Sequence, residues 1–214
     1  MSYTALQKRY GFENPFKPDP LAIKALPSCK GKQLLDVGCG EGADSVYFAK
    51  QGFGITAIDK NAGYLKRFRA YCRDRRLSSI SIKRNSVVDY RYPRNAYDVV
   101  LCLLVVCCMK RSEFEKMIAP LKRSVRLGGV VVMSSRNYLD PELNEYQESG
   151  KPVEPNTFRS KEDCCSFLYF MEQNRLRETF DDFEIIYYFE GFVPCKYDEH
   201  PIHGDSHIIC RRKA

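Results

Sequence analysis

From about Lys32 onward, short β-rich runs alternate with stretches whose apolar positions recur every three or four residues. Strands are predicted at Gln33–Val37, Ile55–Ile58, Ser79–Lys83, Asp98–Leu103 and Val130–Ser134, with helices between them at about Asp44–Gln51, Ala62–Arg76 and Ser112–Arg126. Such alternation predicts a parallel sheet with helices on both faces. Two further β-rich segments, Phe183–Phe189 and His207–Arg211, finish the pattern.

Local signals refine these elements. Ser112 is placed to cap its helix, with Glu113 and Glu115 in the first turn, and Gly128-Gly129 reads as the stop before a β-branched run. Pro120, inside that helix, is expected to kink or split it. The stretch Arg136 to Phe158 is polar, holds Pro141, Pro152 and Pro155, and has no clear period, as expected of a lid, a binding loop or a disordered segment. Ser160 to Asp163 resembles a capping box opening another helix.

The 214 residues suit one domain spanning 1–214, with 1–30 as an N-terminal arm and 136–160 as an acceptor loop or lid. The longest apolar run, Val99 to Met109, is shorter than the ~18 residues that span a bilayer, and the first residues lack the pattern of a secretion signal. A cytoplasmic protein without a membrane partner is expected. The 10 cysteines then read as reduced thiols, and the adjacent pairs Cys107-Cys108 and Cys164-Cys165 lack zinc-ligand spacing, so no metal is expected. The formal charge of +7 raises the question of nucleic acid. However, Lys66, Arg69, Arg73 and Arg76 fall opposite Leu65, Phe68 and Cys72, as on an ordinary solvated helix face.

The segment Leu34 to Asn61 carries the chemistry: a strand, a turn containing Gly38, Gly40 and Gly42, a helix, and a second strand ending in Asp59. An acidic side chain at that strand end can accept both hydroxyls of a ribose. The turn also fits the looser dinucleotide fingerprint. A pyrophosphate prefers the bare amides of a helix N-terminus. Here Asp36, Glu41 and Asp44 crowd the turn, with Asp44 placed to cap the helix itself. That charge favours S-adenosylmethionine, whose sulfonium and ammonium outweigh its one carboxylate.

At these residues, and in VVDY…YDVVLCLLVV and LGGVVVMSS, the chain resembles class I S-adenosylmethionine-dependent methyltransferases of the small tellurite-resistance type, from about Gly31 through Ser135. The resemblance implies a Rossmann-like α/β fold with a seven-stranded sheet, mainly parallel with an antiparallel C-terminal strand. It implies that Gly38 and Gly40, with Cys39 between them, pack against the methionine part of the donor and that Asp36 lies beside its ammonium. Asp59, followed by Lys60, would bind the ribose, Asp89 the adenine amino group, and Val88 would line the adenine pocket. Cys102 and Leu103 would border the methionyl end. The histidine-bearing end, Asp198 to Cys210, is suggestive of the same family.

Methyl transfer from a sulfonium is an in-line displacement, and positioning can supply on the order of 7–11 kcal/mol, whereas a general base adds about 10²–10⁴-fold. Candidates on the acceptor side are His203 and His207, with His200 nearby, and Arg136 at the carboxyl end of the fifth strand. Arg136 could hold an anionic acceptor or form an ion pair. Tyr10 and Phe16 could cover the donor or pack on the sheet. The acceptor is expected to be a small molecule. A nucleic-acid methyltransferase is disfavoured because Cys102 to Val105 replaces the Asn/Asp-Pro-Pro-Tyr tetrad of amino-methylating enzymes; a non-catalytic donor-binding protein is the other alternative.

Overall fold

The computed structural model describes residues 17–161, 165–194 and 202–213; Tyr10, Phe16 and His200 lie outside them, as do 162 and 163 of the expected capping box. Its strands are β1 (Gln33–Val37), β2 (Gly54–Asp59), β3 (Ile80–Arg84), β4 (Tyr97–Leu103), β5 (Val125–Arg136), β6 (Thr157–Arg159), β7 (Phe167–Tyr169), β8 (Phe183–Pro194) and β9 (Ile202–Arg212). The helices are α1 (Pro20–Ala25), α2 (Ala43–Lys50), α3 (Ala62–Asp74), α4 (Arg111–Ser124), α5 (Glu142–Ser149) and α6 (Arg175–Thr179). Seven strands form one sheet in the order β3-β2-β1-β4-β5-β9-β8, parallel from β3 to β5, with β9 antiparallel to both neighbours. β6 and β7 pair separately.

Why the central strands read as unbroken apolar runs is visible in the packing. Leu35, Val37, Val100, Cys102, Val131 and Met133 belong to one core cluster, and their neighbours Leu34, Val99, Leu101, Val130 and Val132 belong to another. Alternate side chains thus enter cores on opposite faces, as a parallel sheet covered on both sides requires. The strand order reverses between β1 and β4, which opens a crevice at their carboxyl ends. Among the described residues no helix is long and apolar enough to cross a membrane.

Helix α3 follows its pattern closely. The Asn61 side chain accepts from Gly63 and Tyr64 amides, Leu65, Phe68 and Cys72 are buried, and the basic residues opposite face solvent. Helix α4 departs from expectation. It starts one residue earlier at a Lys110 cap, whose amide donates to Glu113, while Ser112 binds Glu154 instead. The helix continues through Pro120 and ends at Ser124, well before the glycine pair. Val125 is pulled into β5 by pairing with Tyr97 and by complete burial, and Gly128 lies inside the strand with φ +77°.

The polar stretch after β5 is also packed. Only Leu143 and Tyr146 in α5 are apolar and buried, too few to announce a helix, yet they join Phe158, Leu168, Phe170 and Cys107 in a third core cluster. The next described element after Ser160 is β7. The insertion is fastened at its root by Asn137, which is fully buried, donates its amide to the Gly204 carbonyl and its side chain to Ser206, and accepts from Leu139.

A Cβ at Gly204 would stand 2.3 Å from the Asp140 amide nitrogen and 2.4 Å from the Leu139 carbonyl carbon, both backbone atoms that cannot swing away. Gly204→Ala is therefore expected to destabilise the protein by about 1–3 kcal/mol, and a thermal melt should show it as a drop of roughly 2–4 °C per kcal/mol.

Candidate functional site

The crevice at the switch point is a cleft of ≈ 390 Å³. One wall is the turn after β1. Gly38 and Cys39 donate to the Ile58 carbonyl at 2.8 and 3.0 Å, which sets the turn against the end of β2. Gly38 adopts φ +72°, and a Cβ there would meet Val105 at 2.3 Å, so only glycine allows this approach to the chain leaving β4. Gly40 also has positive φ, but no atom lies within 4 Å of a Cβ built on it, because it faces open space. Gly42 rather than Asp44 occupies the helix cap, with no capping side chain.

Asp59 closes the turn. Its carboxylate accepts the Gly40 amide at 2.9 Å and the Asn61 amide at 2.7 Å, and both donors belong to residues lining the cleft. An ionised carboxylate offers about four acceptor positions, so two remain for a ligand. Lys60 and Tyr64 continue this wall, Ser86 to Val88 form the next, and Leu104, Val105, Cys108 and Met109 come from the turn after β4. Phe167 of β7 reaches over from the insertion.

Gly38, Gly40, Asp59, Lys60 and Val88 are thus gathered on one cleft. The other residues expected at the donor are placed elsewhere. Asp36 is 5% exposed beneath the turn and accepts the Ser45 hydroxyl at 2.6 Å. Cys39 packs inward with Val46 and Phe68. Cys102 is fully buried in the first core cluster, and the cleft residues that sequence reasoning missed include Leu104, Val105, Cys108 and Met109, just beyond it. Asp89 has a 69% exposed side chain opposite Lys116 and does not line the cleft. A signal for the missed turn existed in the apolar run that outlasts β4, with Leu104 forced to φ +52°.

The acidic character of the turn survives, but in buried form. Glu41 is paired with Arg67. Asp44 accepts the Asp19 amide at 2.8 Å, tying the start of α1 to α2. Burial, and then the neighbouring Asp36, push the Asp44 carboxyl up to about 7. Burial pushes Asp36 up to about 6, with Asp59 adding to the effect against the Ser45 hydrogen bond. This concentrated negative potential beside an open, glycine-floored cleft fits a cationic ligand carrying a ribose, and disfavours a pyrophosphate.

The acceptor-side candidates form a polar cluster at the carboxyl end of β5. His203 is 6% exposed, with Nδ1 3.0 Å from Asp140 Oδ2 and Nε2 3.3 Å from Arg136 Nη2. Arg136 Nη1 pairs with Glu142 at 2.8 Å, so its charge is engaged in a buried ion pair rather than offered to a free anion. The oxygens of Asp140 and Glu142 and a His203 nitrogen lie within 4.8 Å of one another, the reach of a metal site, but the guanidinium already supplies positive charge there. His207 Nε2 faces Asp205 Oδ2 at 3.4 Å. Among the described residues the cysteines are free thiols.

Residues 34–129 match the methyltransferase-domain family. The chain is 29% identical over 105 residues to a ubiquinone biosynthesis O-methyltransferase of Rickettsia canadensis (strain McKiel), covering 49% of this chain and 43% of that one. It is 30% identical over 122 residues to the glycine N-methyltransferase of Oryctolagus cuniculus, covering 50% and 41%. The chain thus spans less than half the length of these two relatives. Its fold is similar to that of TehB from Haemophilus influenzae, with TM-score 0.73 over 97% of this chain and 66% of that one at 18% identity.

Because Asp36 and Asp44 hold protons more tightly folded than unfolded, the native state binds more protons between the ordinary carboxyl value of 3.8 and about 7. Their contribution to stability therefore falls as pH rises through that window. Asp44→Asn keeps an oxygen for the Asp19 amide and should raise the melting temperature of the ligand-free protein at pH 8, with a smaller gain at pH 5. Thermal melts at both pH values decide it; an equal or opposite effect would mean that Asp44 carries no buried charge.

Proposed function

We propose that the chain is a class I S-adenosylmethionine-dependent methyltransferase, as its match to the methyltransferase-domain family over residues 34–129 supports, and that it transfers the donor's methyl group to a small-molecule acceptor. The observation that carries this reading is the Asp59 carboxylate, fixed by the Gly40 and Asn61 amides with acceptor capacity to spare toward the cleft. When bound, S-adenosylmethionine supplies a methyl carbon on a sulfonium that is already a good leaving group.

The chain's own residues then have three tasks. Asp59 accepts hydrogen bonds from the ribose hydroxyls and fixes the nucleoside, while Val88 and Leu104 remove water from around the base. Buried Asp36 and Asp44 hold negative charge behind Gly38 and Gly40, drawing the ammonium end toward the turn and orienting the sulfonium. The cluster of Arg136, Asp140 and His203, together with His207, forms the polar wall of the acceptor side. Asp140 facing Nδ1 and Arg136 Nη2 facing Nε2 hold the His203 ring in place on this wall, with the Nε2 lone pair directed at the guanidinium. The relatives' names include both an oxygen and a nitrogen methyltransferase, so this reading commits to a small molecule without fixing the acceptor atom.

Titration calorimetry should show binding of S-adenosylmethionine and of its demethylated product, and none of NAD. Asp59→Ala should weaken donor binding by about 1.5–3 kcal/mol, the scale of hydrogen bonds to a charged group. Unchanged affinity in the folded variant would move the ribose elsewhere. Donor affinity should fall as pH is lowered through about 7 to about 6, where Asp44 and Asp36 take up protons; a flat profile would separate these carboxyls from the ammonium.

A screen of small-molecule acceptors with tritiated donor is the direct test of turnover. For any acceptor found, His203→Ala and His207→Ala should impair methyl transfer while leaving donor affinity within about tenfold, or ~1.4 kcal/mol. Wild-type turnover in both variants would remove the histidines from the acceptor side.

A further inference from the structure

The turn after β4 carries two adjacent thiols that the proposed reaction does not use. Cys107 and Cys108 both donate to the Leu104 carbonyl, at 3.3 and 3.7 Å. The two sulfur atoms therefore flank one carbonyl oxygen. They differ in access. Cys108 lines the donor cleft, whereas Cys107 is 4% exposed and packs inward among Leu143, Tyr146 and Phe158. The backbone of this turn is constrained: Leu104, whose carbonyl both thiols share, takes φ +52°, uncommon for a leucine.

The surroundings favour sulfur as a ligand. Arg136 lies close enough to Cys107 to stabilise its thiolate electrostatically. The Cys107 thiol is drawn below its ordinary value by the Cys108 hydrogen bond and then by Arg136, against the opposing effect of burial. By contrast, burial raises the thiols of Cys39, Cys102 and Cys210. Next to the pair the cleft is apolar, lined by Leu104, Val105 and Phe167.

We propose that Cys107 and Cys108 form a dithiol site for a trivalent, thiophilic arsenical, whose apolar substituent sits in the cleft against Val105 and Phe167. In the reaction the two S–H bonds and the arsenic–oxygen bonds of an arsine oxide are exchanged for two arsenic–sulfur bonds. The oxide oxygen leaves as water with the two thiol protons, and arsenic stays trivalent. Cys108, at the surface, takes the first bond. Cys107 closes the ring, and the adduct blocks the space in which the nucleoside is proposed to sit.

Phenylarsine oxide is the probe, added to the full chain under reducing monothiol conditions. Intact-mass and peptide analysis should find one phenylarsenic group per chain, bridging Cys107 and Cys108, stable to a monothiol and released by 2,3-dimercaptopropanol. Loss of either thiol removes the intramolecular second bond. Cys107→Ser and Cys108→Ser should therefore each weaken retention by about a hundredfold, while the double variant Cys164→Ser, Cys165→Ser should retain it. Cys108→Ala, altered only at the cleft surface, keeps the test open if the buried Cys107 variant folds poorly. An adduct bridging other cysteines, or undiminished retention in the Cys108 variants, overturns the site. Slower labelling in the presence of demethylated donor rests on the reading of the cleft given above. Labelling of the free protein does not, so failure of protection with intact labelling would count against the nucleoside pose and not against the dithiol.

Discussion

The amide of Gly40 donates to Asp59 across the gap between two neighbouring strands, and the shape of the cleft follows from that bond. It holds the glycine turn open while the Gly38 and Cys39 amides anchor its base on Ile58. Without it the far side of the turn would not be tied to Asp59, and the carboxylate would be oriented by the Asn61 amide alone. A net contribution of about 1.5–3 kcal/mol for a hydrogen bond to a charged group is modest for folding. Its larger effect is preorganisation, since a ligand meeting a carboxylate already aimed at it avoids the ordering cost that weakens flexible sites.

The same region holds charge in an unfavourable place. Asp36 is buried near Asp59, Asp44 near Asp36 and Asp19, and their neutral forms are correspondingly favoured. A fold selected for stability alone would place amides there. Retaining acids makes the empty site less stable at neutral pH and makes a bound cation the missing partner, a local conflict of the kind that binding sites carry.

Much of this was legible in the residue order. Leu34 to Asn61 fixed the turn, the helix and Asp59 because each position is dictated locally, by backbone freedom or strand-end placement. The alternating cores follow from unbroken apolar runs such as Val99 to Cys102. What escaped depends on partners distant in sequence. Val125 reads as helix until Tyr97 pairs with it, and Ser112 reads as a cap until Glu154 claims it. Asp36 and Cys102 carry the right chemistry in the right strands, but alternation turns a side chain to one face or the other, so the cleft is lined by residues one or two places further on. The helix α5 was hidden because its apolar contacts come from Phe158 and Phe170, beyond the window in which a period can be read.

The insertion after β5 leaves and rejoins the domain at one place. Asn137 bridges Met171 in parallel, the Tyr138 amide donates to the Met171 carbonyl, and the Met171 amide donates to that of Arg136. The intervening chain is therefore a loop whose ends are already closed by the scaffold, and each doubling of such a loop adds only about 0.6 kcal/mol of closure entropy. Evolution can lengthen, shorten or replace everything between those two residues with little disturbance to the sheet or to Asp59. The architecture behaves as a fixed nucleoside-facing frame with an exchangeable cassette, so a graft of a foreign segment between Asn137 and Met171 has its natural boundaries already drawn.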